Sequence, residues 1–277
     1  MGSSLWLDGG VLRGYYGEGG DVVLPDFIYD VGGYVFRNQT QVRSVTIPDG
    51  AIDVGYGAFS GCSGLTRVVL PDSILRIDMY AFSGCESLPE VRLPGKMKIL
   101  RDSTFIHCSS LRKVEIPDQV EKIEFHAFYG CDSLREVRAM GVREVEDPII
   151  DRTARCILPL VPMEQLESKQ MQLNGALGYC SFPELYGETA GEYEAYAAEH
   201  VSELMEQSIR CRFSEPLRYF AQRGLLTEEG LTDYLEQARR QKIPRRWHFC
   251  WSINLPDPMQ KTMLGMTLTR NLNCNDR

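Results

Sequence analysis

The chain has 277 residues, 43% of them hydrophobic and 25% charged, which is the balance of a folded globular protein and leaves no case for disorder. Its net charge of −8 argues against a nucleic-acid or anionic-membrane surface, since either would call for a basic field. No apolar run approaches the roughly 20 residues needed to cross a bilayer, so membrane insertion is not expected.

The N-terminus, Met1 to Trp6, has neither a charged segment nor an apolar one of export type, and Trp6 stands where a myristoylation signal needs Ser or Thr. Nine cysteines occur without a CxxC pair, and a cytoplasmic location is expected. Leu5-Trp6-Leu7, the turn Asp8-Gly9-Gly10 and Val11-Leu12 read as a hairpin. Residues 1–20 are therefore expected to form an N-terminal cap.

From there a 23-residue unit repeats five times across residues 21–136. Pro25, Pro48, Pro71, Pro94 and Pro117 keep this spacing, and so do Phe36, Phe59, Phe82, Phe105 and Phe128. Cys62, Cys85, Cys108 and Cys131 form a third column, with Gln39 in the first copy. Within a unit, Val68 and Leu70 are two apart, so both face inward from a short strand while Arg67 and Val69 face outward. The proline after them cannot donate to a ladder and ends the strand. Ile74, Ile77, Ala81 and Phe82 then fill the interior. One coil cannot bury that face alone, so coils must stack and their strands must form a parallel sheet about 4.8 Å apart. A sixth copy starts at Val137 and degenerates, with Met140 for the proline and Ile149-Ile150 for Ala-Phe. The solenoid is therefore expected to span residues 21–150.

The unit, with proline after the strand and A-F-x-x-C at its far side, resembles the BspA-like class of leucine-rich repeats. That resemblance implies a gently curved α/β solenoid of short parallel strands, a role in protein–protein contact or adhesion, and no catalytic residues.

The cysteine column reads as core, because a thiol behaves there as a small hydrophobe and one per coil makes a row, not a tetrahedral metal cluster. His107 and His126 fall in different columns and are expected at the surface or between coils. The outward strand positions form two columns, Ser44, Arg67, Glu90, Lys113, Glu136 and Thr46, Val69, Arg92, Glu115, Arg138. Their later members alternate in sign, which suits register and solubility better than the steering of a charged partner. The less charged N-terminal end, Val23, Thr46 and Val69 bordered by Ser44 and Arg67, is left as the candidate partner-binding stripe.

Beyond residue 151 the apolar spacing shifts towards 3.6, predicting a helical domain over residues 151–258. Residues 163–178 are one candidate helix. Tyr193, Tyr196, Ala197, Val201, Leu204, Met205 and Ile209 line one face of another. Ser214 before Glu215-Pro216 reads as an N-cap, with Gly224 closing that helix. Thr227 opens the next, which carries Leu231, Tyr234, Leu235 and Ala238, and a last one is expected over Arg245 to Leu255. Helix pairs joined by Gly-containing turns weakly resemble ankyrin hairpins. His248 and Cys250 read as part of a packed aromatic group, and residues 259–277 as a tail. With no P-loop, GxSxG, HExxH or Cys/His arrangement, no catalytic, cofactor or metal residues are assigned. An interaction scaffold for a protein or peptide is the leading expectation; a structural or adhesive spacer, with the helical part as the binding end, is the alternative.

Overall fold

The computed structural model describes residues 5–152 and 154–240. The helix expected over residues 245–255, the His248–Cys250 group and the tail lie outside these.

The N-terminal hairpin forms as β1 (Leu5–Asp8) and β2 (Val11–Tyr15), antiparallel about a turn with Gly9 at φ 61°. The repeat then lays down two ladders. The expected one comprises β3 (Gly20–Val23), β5 (Val42–Thr46) and β7 (Arg67–Val69), all parallel, and resumes further on as β10 (Lys113–Ile116), β12 (Glu136–Ala139) and β14 (Arg155–Ile157). A second ladder runs along the wall after the proline turn. Two-residue strands β4 (Asp30–Val31), β6 (Asp53–Val54) and β8 (Arg76–Ile77) continue the hairpin sheet, and β9 (Ile99–Leu100), β11 (Lys122–Ile123) and β13 (Glu144–Val145) form another. Since β14 pairs with β12, the first ladder continues beyond the boundary at residue 150 that the degenerate sixth copy suggests.

Inside, the phenylalanine column is a ring stack. Centroids from Phe36 to Phe128 are 5.0, 5.2, 5.3 and 5.9 Å apart with planes within 9°. Tyr15 of the hairpin closes its first end at 4.8 Å from Phe36. At the other end Phe128 N–H donates to Ile149 O, so Ile149-Ile150 occupy the Ala-Phe place, as the sequence suggests. Each coil turns back on itself through two left-handed residues. One column is Tyr34, Gly57, Tyr80, Ser103 and His126; the other is Asn38, Gly61, Gly84, His107 and Gly130. Glycine recurs in both because it enters this region without a Cβ penalty. His107 is exposed and His126 half-buried, and both meet the Tyr129 ring edge-on.

The described residues then form five α-helices: α1 (Lys169–Ser181), α2 (Ala190–Glu199), α3 (Val201–Cys211), α4 (Glu215–Gln222) and α5 (Glu228–Arg240). Ser168 caps α1, accepting from Met171 N–H. The apolar run from Tyr193 to Ile209 is not one helix: the backbone breaks at His200 (φ −117°, ψ 28°), and α2 and α3 bury Tyr193, Ala197, Leu204, Met205 and Ile209 from separate segments. Ser214 precedes α4 without capping it through its side chain; its N–H is instead held by the Glu215 carboxylate at 2.9 Å. Gly224 ends α4 at φ 68°, and Thr227 Oγ1 accepts from Gly230 N–H at the start of α5. Helix α1 touches α2, α3 and α4, while α3 touches α4 and α5. The result is a bundle about α1 and α3, in which α1 also lies on β14 at the end of the coils. Its close approach requires Gly178, where a Cβ would stand 2.0 Å from Cys156 O.

Candidate partner-binding surface

The five stripe residues come together. Val23, Thr46 and Val69 are register partners across β3, β5 and β7, and Ser44 pairs with Arg67 in the same sheet. Period-2 alternation sends their side chains outward while Val22, Val45 and Val68 enter the core. Val23 is 74% exposed, Thr46, Val69 and Ser44 are half-buried, and Arg67 is exposed. Ser44 Oγ donates to Asp21 Oδ1 at 2.6 Å, a neighbour that the two outward columns do not include. Arg67 has no ion pair among the described residues.

The alternating charge columns form only in part. Lys113 lies 3.8 Å from Glu136, and Arg155 closes on the same carboxylate. At the fourth coil the pattern fails: Arg92 turns aside to Asp72 at 3.0 Å, and neither Arg67 nor Glu90 pairs across the gap. That bond and the one from Gly95 N–H hold the Asp72 carboxyl below its usual range. The second wall carries charge pairs of its own, in Arg76 with Asp53, Lys98 with Glu121 at 2.8 Å, and Lys122 with Glu144 and Glu146 at 2.6 and 2.7 Å.

That wall carries a second exposed apolar column, to which the strand pattern gives no clue. Tyr29, Ile52 and Leu75 are 48%, 46% and 55% exposed on the first three coils, and Lys98 and Glu121 take their place on the next two. The 23-residue spacing is the signal that could have revealed it. Both apolar columns occupy the N-terminal half.

The cysteine column is interior. Sγ of Cys62, Cys85, Cys108 and Cys131 donates to the carbonyl of Phe36, Phe59, Phe82 and Phe105 at 2.9 to 3.3 Å. Burial pushes the thiols up, to about 12 for Cys62 and Cys131 and well above the ordinary value for the two between them. Such thiols stay protonated at neutral pH. Among the described residues no group of three or more His, Cys, Asp or Glu could hold a metal, and no helix is long and apolar enough to cross a membrane. What the surface offers is apolar contact, the guanidinium of Arg67 and main-chain groups.

Residues 20–146 match the model of the BspA type leucine rich repeat region, in six copies. No curated protein is significantly similar in sequence. Solved structures that resemble the chain include a leucine rich repeat protein of T. pallidum, 23% identical over 68% of this chain and 94% of its own, with a TM-score of 0.46. A leucine-rich repeat protein of Eubacterium ventriosum is 22% identical over 48% of this chain and 37% of its own, at 0.45. The pneumococcal vaccine antigen PcpA is 16% identical over 53% and 34%, at 0.32. With the repeat matched from Gly20 to Glu146 and its coils stacked as described, this part of the chain belongs to the BspA-type leucine-rich repeats.

Proposed function

We propose that the chain is a non-catalytic scaffold that binds a protein or peptide through the N-terminal sheet, with Val23, Thr46 and Val69 as the apolar centre and Ser44 and Arg67 as the polar border. The observation that carries this reading is the exposed, in-register stripe on three adjacent strands, next to a cation without an ion pair among the described residues. Apolar centres with polar rims are the usual anatomy of such interfaces. Nucleic acid and membrane insertion form no part of the reading. It extends to the cytosol, a compartment that keeps the four column thiols reduced.

Partner capture by the full chain tests it. Thr46→Glu with Val69→Glu is expected to lower capture at least tenfold. Both side chains point outward, so stability should change by less than about 1 kcal/mol. Undiminished capture contradicts the proposal. A second reading makes the solenoid a spacer and the helical bundle the binding end, favoured by a cleft of about 450 Å³ between the end of α1 and α4, where Arg218 is exposed. Under that reading Arg218→Glu abolishes capture and the stripe substitutions do not.

A further inference from the structure

The ladders do not run unbroken. Across the first three coils Leu24 N–H donates to Thr46 O at 3.0 Å and Ile47 N–H to Val69 O at 3.1 Å. The next rung, Leu70 N–H to Arg92 O, is not formed, and neither is the one after it, Leu93 N–H to Glu115 O. Residues 89–93 are accordingly not a strand, and the second wall is broken at the same junction, between β8 and β9. A cleft of about 520 Å³ lies between Thr66–Leu70 and Pro89–Arg92, and one of about 580 Å³ lies on the far side of the fourth coil. On the opposite wall the same coils stay joined: Phe82 N–H donates to Thr104 O at 2.9 Å, Gly84 N–H to Ile106 O at 2.8 Å, and Phe82 stacks on Phe105. The opening is a wedge, closed at the phenylalanine side and open at the strands.

Pro89 accounts for the opening on the β7 side; the Leu93 rung is absent although Arg112 N–H donates to Pro89 O. At the equivalent place Thr66, Arg112 and Arg135 each donate N–H to the preceding coil, to Arg43, Pro89 and Arg112 at 2.9 to 3.1 Å. Proline has no N–H, so the carbonyl of Thr66 receives no such bond and the zip that starts each strand pair is missing. Inside the wedge Val68 and Val91 are 9% and 8% exposed, against 0% for Val45, Val114 and Val137 in the same column.

We propose that the wedge between β7 and residues 89–93 receives an extended peptide segment of a partner protein. The segment pairs its main chain with Val68, Leu70 and Arg92 and sets an acidic side chain against Arg67. An extended peptide is the occupant that fits, because the unmet groups on both lips are main-chain donors and acceptors at strand spacing, the need that strand addition satisfies. Arg67 supplies the charge preference, and the small exposed edges of Val68 and Val91 meet an apolar side chain. The proposal does not rest on the stripe reading: its contacts are chiefly main-chain, and since Val69 itself lines the wedge, the Pro89 and Arg92 substitutions are what separate the two.

The test is selection of a random linear-peptide library on the full chain, followed by amide exchange of the chain with each selected peptide. Selected peptides are expected to be rich in acidic and apolar residues and to slow exchange at Leu70 and Arg92. Their affinity should fall at least tenfold in Arg92→Pro, which removes a donor on the lip, and in Pro89→Thr, which restores the N–H and lets the coils close. The Arg92 variant, altered at an exposed position, keeps the test decisive if the Pro89 variant fails to fold. Recovery of no peptide, protection confined to other strands, or full affinity in both variants would overturn the proposal.

Discussion

At the level of single residues, stability is concentrated in the two interior columns. Each phenylalanine is fully buried and touches a ring on the coil before or after it, so its loss opens a cavity that the stacked neighbours cannot fill. Phe82→Ala is expected to cost about 3–5 kcal/mol in denaturant unfolding. A cost below about 1 kcal/mol, the scale of an ordinary surface change, would mean that the stack is not the core. The thiols add an alkaline limit. Unfolded, they lose their protons near the ordinary value of 9.0, whereas burial holds those of Cys62 and Cys131 to about 12. Their contribution is therefore complete below pH 9 and is lost as the pH rises from there, so unfolding titrations of the wild type should show a fall that is smaller in Cys62→Ala. These columns were legible because one residue type recurs at one offset. One left-handed column was legible in principle from Gly61, Gly84 and Gly130, whereas in the other Gly57 stands alone among tyrosine, serine and histidine.

Elements show where the sequence runs short of information. A two-residue strand has no period to detect, so the second wall could not be seen, although the coil count and the first ladder could. Pro89 was visible, but only its position opposite three N–H donors gives it meaning, and that requires the coils to be in register. The apolar spacing of α2 and α3 fits one helix as well as two, because the break at His200 leaves the 3.6 pattern nearly intact. Docking of α1 on β14 depends on a contact no local pattern reveals: Gly178 against Cys156 O. Gly178→Ala gains helix propensity yet is expected to lose about 2–3 kcal/mol, since the clash is with backbone and α1 must shift. Thermal unfolding measures this, and a stabilised variant would contradict the close approach.

Taken whole, the molecule is held together at the junction of solenoid and bundle by Arg155. Its side chain is 11% exposed, bonded to Glu136, 3.1 Å from Glu215 of α4, and sandwiched between Phe182 and Phe213 at 5.1 and 4.6 Å. Arg155→Ala would leave two carboxylates facing each other across the joint, at a cost of about 3 kcal/mol by denaturant unfolding. Burial pushes the Glu215 carboxyl up, but its own N–H, the Arg155 guanidinium and the Ser214 N–H outweigh this and leave it below its usual range. Its contribution is thus present above the ordinary carboxylate value and is lost as the pH falls through the folded one, so the joint should loosen in acid. The candidate stripe was legible in the sequence as the less charged end of the outward columns; its neighbouring wedge was not, because that needed the missing rungs. Amide exchange of the full chain with its captured partner tests the scaffold reading most directly. Slowed exchange across β3, β5 and β7 is predicted; slowing confined to α1 and α4 would contradict it and move the binding end to the helices.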